Sequence, residues 1–169
     1  MSHPNRLRSN KWKFNISNVP LIGKHSIKME TISENCRGFS MPSLSVSSFE
    51  TVNFMNNVSF ESMSRNNDGL EPFIVEFILS ENMENYMYFF RWIRQLRSGV
   101  TPNNSIKKNV IEFAWLDFLD NQDRVVSTIK FEKLLPEILG ALQMTQGVSN
   151  EISFTVSLKY HMLGVVDED

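Results

Sequence analysis

With 169 residues, 41% of them hydrophobic and 21% charged, the chain can bury a core without disulfide or metal staples, which excludes wholesale disorder. Seventeen Lys and Arg against nineteen Asp and Glu leave a formal charge of -2, which speaks against a free-standing nucleic-acid binder. The single Cys36 and the three histidines His3, His25 and His161 exclude an internal disulfide framework and any multi-cysteine zinc site.

Most periodic segments alternate every second residue, the mark of strands with one buried face. In residues 12–17, Trp12, Phe14 and Ile16 point one way, and Lys13, Asn15 and Ser17 the other. Residues 25–32 and 35–41 are two short strand candidates. Residues 51–63 read as the limbs of a long hairpin, with Arg65-Asn66-Asn67-Asp68-Gly69 as turn-forming punctuation. The dense apolar run at 73–79 predicts a central strand.

A helix is predicted from about residue 82 to 98. Ser80 is placed to cap it, Glu81 and Glu84 fall in its first turn, Arg91, Arg94 and Arg97 come late, and Gly99 follows. At helical spacing Met83, Tyr86, Met87, Phe90 and Ile93 form a stripe, which Phe89, Trp92 and Leu96 widen beyond what one sheet covers. Either the helix is wedged into a deep core or its second face meets another polypeptide. Residues 109–119 and 124–131 flank Asp120-Asn121-Gln122-Asp123 as a hairpin. Pro136 interrupts 133–144, so that stretch reads as an irregular connection with at most a short turn of helix. The most regular alternation closes the series: Ile152, Phe154, Val156, Leu158 and Tyr160 share one face, and Ser153, Thr155, Ser157 and Lys159 the other.

The whole chain, 1–169, is expected to be one domain, with 1–10 a basic N-terminal arm and 164–169 an acidic C-terminal tail. Residues 1–50 carry seven cations against three acids, and residues 51–169 ten against sixteen. Arg6, Arg8, Lys11 and Lys13 stand at one extreme, and Asp167, Glu168 and Asp169 at the other. They read either as solvated tails or as a basic arm that meets an acidic surface on another copy. The polar start lacks an apolar signal region, and no run approaches the ~20 apolar residues of a membrane span. An intracellular compartment, or a particle assembled there, is the expected location, with no membrane embedding.

Little chemistry can be built from these residues. A Cys–His pair from Cys36 with His25 or His161 is conceivable, but lone cysteines are mostly buried small hydrophobes. Asp117, Asp120, Asp123 and Glu132 gather around the predicted hairpin, where solvated turn acids are the ordinary explanation, and they lack the spacing of a calcium loop. No phosphate-cradling glycine loop or nucleophile elbow is present. The expectation is a protein that is not an enzyme and needs no cofactor and no metal.

What remains is a surface argument. An amphipathic antiparallel sheet leaves two edges of unpaired backbone that must be covered. A ring of copies would cover the edges and bury the surplus apolar face of the helix. A monomeric β-barrel holding a small apolar ligand suits the same alternation and aromatic content.

The run Phe131-Glu132-Lys133-Leu134-Leu135-Pro136, then Leu139-Gly140-Ala141-Leu142 and Ser149-Asn150-Glu151-Ile152, leads into the closing alternating strand. In this order the segments resemble the end of contractile-tailed bacteriophage tail tube proteins. The upstream order is also similar: a first strand, the Met41-Pro42 turn, Asn53-Phe54-Met55-Asn56, a central strand and one helix. The basic arm and the divergent 18–50 region depart from the pattern. The resemblance implies a mainly β fold of two packed antiparallel sheets, a sandwich or barrel flanked by one helix.

It further implies a structural subunit of a phage contractile tail tube. Its hexameric rings stack into a conduit for DNA ejection, with sheath, baseplate and tape-measure proteins as partners. A baseplate tube-initiator or cap and a secretion-system tube protein are the alternatives within the family. The polar faces are expected to line the lumen, with Ser153, Thr155 and Ser157 leading and Asn15 and Ser17 behind them. Contacts between subunits or rings are expected from Arg6, Arg8, Lys11, Phe54, Met55 and Trp92.

Overall fold

A computed structural model describes residues 10–22, 25–43, 48–52, 58–62, 71–98, 110–144 and 151–166. Nine strands and two helices follow in the order β1 (Trp12–Ile16), α1 (Met29–Glu34), β2 (Cys36–Ser40), β3 (Ser48–Val52), β4 (Val58–Ser62) and β5 (Phe73–Ile78). Then come α2 (Glu84–Ser98), β6 (Ile111–Leu119), β7 (Val125–Leu139), β8 (Ser153–Lys159) and β9 (Met162–Val166). Every strand pairing is antiparallel. The mainly β architecture matches the expectation, with one revision. The two packed layers are halves of one seven-stranded sheet, β1-β6-β7-β8-β5-β2 with β9 also on β7, and only the β3-β4 hairpin stands apart.

The fifteen-residue β7 joins the halves. Its first part pairs with β6 on one side and β9 on the other, and its last part pairs with β8. The register of β9 on β7 runs on into that of β8, from Thr128↔Val166 to Pro136↔Leu158. β8 and β9 therefore flank β7 as one ribbon. The ribbon bends where Lys133 takes φ 53, beside the bond from His161 N–H to Glu132 O. That unusual backbone at a non-glycine residue turns one layer onto the other.

Side chains from both halves meet inside. Phe73 stacks on Phe131 with ring centroids 4.4 Å apart, Phe14 lies 5.9 Å from Phe73, and Trp12 meets Phe39 edge-on at 4.8 Å. Such contacts add roughly 0.5–1.5 kcal/mol each beyond their buried area. α2 packs on this same inner side through Phe89, which contacts Phe77 and Phe154.

Several elements differ from the sequence reading. Residues 25–32 do not form a strand: α1 begins at Met29 and buries Ile32. The early hairpin runs from Ser48 to Ser62, so its connection lies between Val52 and Val58 and not at Arg65–Gly69. The 133–144 stretch is largely strand, because β7 runs through Pro136 to Leu139. Pro136 sits past Leu134, where the described part of β6 ends, and next to a bulge before Ile138, so its missing N–H interrupts little. β9 occupies Met162–Val166, which takes three residues from the expected acidic tail.

α2 starts two residues later than expected, and the cap is not Ser80 alone. Ser80 O accepts from Met83 N–H, and Met83 turns back with φ 55. The fully buried Asn85 then anchors the helix. Its Nδ2 donates to Ile78 O at 2.7 Å, and its Oδ1 accepts from Ser80 N–H at 3.1 Å, Ser80 Oγ at 3.0 Å and Tyr86 N–H at 2.9 Å.

Candidate assembly surfaces

The buried side of α2 is Asn85, Tyr88, Phe89 and Trp92, not the stripe that spacing picked out. Trp92 is 0% exposed, so it is spent in the core and has no surface for a neighbour, contrary to expectation. The exposed aromatic is Phe90, at 44%. With Ile93 and the exposed Ile138 it lines a groove of about 800 Å³ between α2 and the end of β7, where Arg94 and Arg97 also stand. One side of the helix is core, and the other is open.

A free strand margin also borders β7, and β1 and β2, at the ends of the sheet order, likewise have one strand neighbour each. Among the described strands β9 pairs only with β7, and its Met162, Val165 and Val166 are exposed. Val125 and Val126, at the start of β7, extend the apolar surface. The sequence reading missed this margin because 162–166 lacks a polar alternation.

Ser153, Thr155 and Ser157 share the outward face of β8, opposite Ile78, Glu76 and Ile74 of β5. Phe154, Val156 and Leu158 point into the core. Gly140 lets the chain pass close to this strand: its N–H donates to Thr155 O at 2.7 Å, and a Cβ there would lie 2.4 Å from Thr155 Oγ1. The Lys159–Glu137 pair, at 2.7 Å, is neutral overall, which leaves a face of hydroxyls beside one unpaired acid, Glu76, among the described ion pairs. Asn15 and Ser17 do not join this face. Asn15 belongs to the other half of the sheet, where its Nδ2 donates to Asp117 Oδ2. Ser17 Oγ accepts from Phe113 N–H and donates to Asn18 Oδ1, so it fastens β1 to β6.

Lys11 is ion-paired with Asp123 of its own copy. Arg6, Arg8, Phe54 and Met55 lie outside the described residues.

The acids around the β6–β7 turn are engaged locally. Asp117 also accepts from Thr128 Oγ1, Asp120 pairs with Arg124, and Glu132 pairs with Lys130. Hydrogen bonds from Arg124 and Gln122 hold the Asp120 carboxyl below its ordinary range. Among the described residues no three His, Cys, Asp or Glu gather as a metal site, and no described helix is long and apolar enough to cross a membrane. Burial pushes the Cys36 thiol up to about 12, against an opposing hydrogen bond with the Gly38 backbone, and Glu76 adds to the rise. A thiol held that high is a poor nucleophile at neutral pH.

No protein-family model matches the chain, and no curated protein matches it. Solved structures do. The cap of the anti-feeding prophage, a tube-terminating protein, aligns over 99% of this chain and 95% of its own with a TM-score of 0.60 at 8% identity. The sheath/tube terminator of an extracellular contractile injection system, PVC, aligns over 98% and 100% with a TM-score of 0.59 at 10% identity. A chain of the anti-feeding prophage baseplate aligns over 98% and 97% with a TM-score of 0.57 at 15% identity. The fold is therefore the one shared by tube, cap and baseplate subunits of contractile injection systems.

Proposed function

We propose that this protein is a structural, non-enzymatic subunit of a contractile, phage-like tail, assembling into rings that build or close its inner tube. The observation that carries the reading is the full-length match in fold to tube-terminating and baseplate subunits, with neither chain left with a large unmatched part. The β9 margin and the α2–β7 groove support it, because among the described residues nothing covers either.

In this role six copies close a ring, and rings stack into a conduit inside a sheath seated on a baseplate. Tape-measure protein and phage DNA pass through the lumen without specific binding, and the particle is assembled in the host cytoplasm. The hydroxyl face of Ser153, Thr155 and Ser157 is the lumen surface. With Lys159 on this face already paired to Glu137, a wall of hydroxyls near an acid offers phosphate little positive charge, so little counterion release holds the polymer back. Asn15 and Ser17, being on the other half of the sheet, are assigned to structural bonding.

A second reading, a cap that terminates the tube, is favoured by the likeness to the two terminating proteins. Electron microscopy of the purified chain at rising concentration tests both. Stacked tubes support the tube subunit, and single rings that do not stack support the cap. A monodisperse single copy at every concentration refutes both and favours a monomeric ligand-binding β protein. Thr155→Lys with Ser157→Lys is expected to slow DNA delivery by assembled particles, and unchanged delivery would remove the lumen assignment.

A further inference from the structure

The groove and the β9 margin both border β7. β8 and β9 flank β7 on one side, whereas the groove lies between the end of β7 and α2. The floor of the groove is apolar, through Phe90, Ile93 and Ile138. Its rim holds Arg94, Arg97 and Glu137; Glu137 is taken by Lys159, and among the described residues no carboxylate pairs with either arginine. Such a site calls for an apolar segment followed by negative charge.

The sequence offers one such segment. β9 presents Met162, Val165 and Val166, and Asp167, Glu168 and Asp169 follow at once. Two other stretches carry the wrong sign. Residues 99–109 contain Lys107 and Lys108, and the first ten residues contain Arg6 and Arg8.

β9 does not line its own copy's groove. Val166 is paired with Thr128, ten residues along β7 from Ile138. At strand rise that is ~33 Å along the strand. In a ring, a second copy supplies the matching segment.

We infer that copies join head to tail, the β9 margin and acidic run of one seating in the α2–β7 groove of the next, with Arg94 and Arg97 facing Asp167–Asp169. The contact uses two different patches, so it repeats around a ring without a two-fold axis and closes when the rotation allows. This rests on the ring-forming role proposed above and supplies the contact that closes the ring.

The test uses the full chain and two reversals, Arg94→Glu with Arg97→Glu, and Asp167→Lys, Glu168→Lys with Asp169→Lys. Sedimentation velocity is expected to show each variant alone weakened by roughly tenfold or more in association, with circular dichroism and melting unchanged. Mixed in equal amounts the two are expected to recover rings, because each groove then meets a complementary tail. Recovery only in the mixture establishes the contact. If the wild type assembles and neither reversal weakens it, or the mixture fails to recover, this contact is wrong while the ring-forming role stands. If the groove reversal lowers the melting temperature and leaves assembly intact, the groove is filled by its own chain, which also overturns the contact. A wild-type chain that remains a single copy ends both readings.

Discussion

Removing the Asn85 side chain tests the joint between the sheet and its principal helix. Asn85→Ala deletes the donor to Ile78 O and the acceptor for Ser80 N–H, Ser80 Oγ and Tyr86 N–H. The hydroxyl of Ser80 can turn elsewhere, and Tyr86 N–H lies in the first turn of the helix. Ile78 O and Ser80 N–H are the groups most clearly orphaned, at ~1–3 kcal/mol each when buried. Both residues are half-buried, so the expected loss is about 3 kcal/mol in total. In a chain of this size that lowers the melting temperature by roughly 6–12 °C.

Urea denaturation followed by tryptophan fluorescence reads the loss directly, since Trp92 is on the same helix face. Asn85→Asp sharpens the test. Its carboxylate keeps the acceptor but sets a negative oxygen against Ile78 O, whereas its protonated form can still donate there. Burial raises the folded pKa of that carboxyl above the unfolded value of ~3.9. The deficit relative to wild type should therefore be smallest below about pH 4 and grow as pH rises through the folded pKa. A loss under about 1 kcal/mol for Asn85→Ala, or a pH-independent deficit for Asn85→Asp, would refute the account.

Four further outcomes are expected. Gly140→Ala places a methyl 3.0 Å from Thr155 O and 3.2 Å from Thr155 N, so it should cost ~1–3 kcal/mol in chemical denaturation, and Thr155→Ala should relieve only part of that. Tyr88→Phe abandons the bond from its hydroxyl to Pro20 O at 2.6 Å and should lose ~1–2 kcal/mol. Tyr160 has a buried hydroxyl without a hydrogen-bond partner among the described residues, so Tyr160→Phe should be neutral or stabilising in the same melts. Iodoacetamide at pH 8 should modify Cys36 on the order of a thousandfold more slowly in the folded chain than in urea, because its thiol sits at about 12.

The sequence announced some of this plainly. β8 alternates without a break because one of its faces is core and the other polar, and the β6–β7 turn carries its own Asp120 bonding scheme. β7 was misread because a proline breaks the local pattern, while the strand that would have needed its N–H lies elsewhere in the chain. α1 is six residues long, too short for a 3.6-residue period to show. The side of α2 that is buried was equally hidden. Aromatics surround the helix, and only the partners Phe77 and Phe154, distant in sequence, decide which of them face inward. Among the assembly surfaces, the hydroxyl face of β8 was legible from alternation. The groove was not, since Phe90 and Ile138 are brought together only by the folded sheet.

Since one strand belongs to both layers, the layers cannot slide past each other without tearing the ladder of β7. A tensile load applied along that strand is borne by β6, β8 and β9 in shear, many hydrogen bonds sharing it at once rather than yielding one after another. Stiffness of that kind would suit the tube-building role proposed above, in which a bore is kept while the sheath around it shortens.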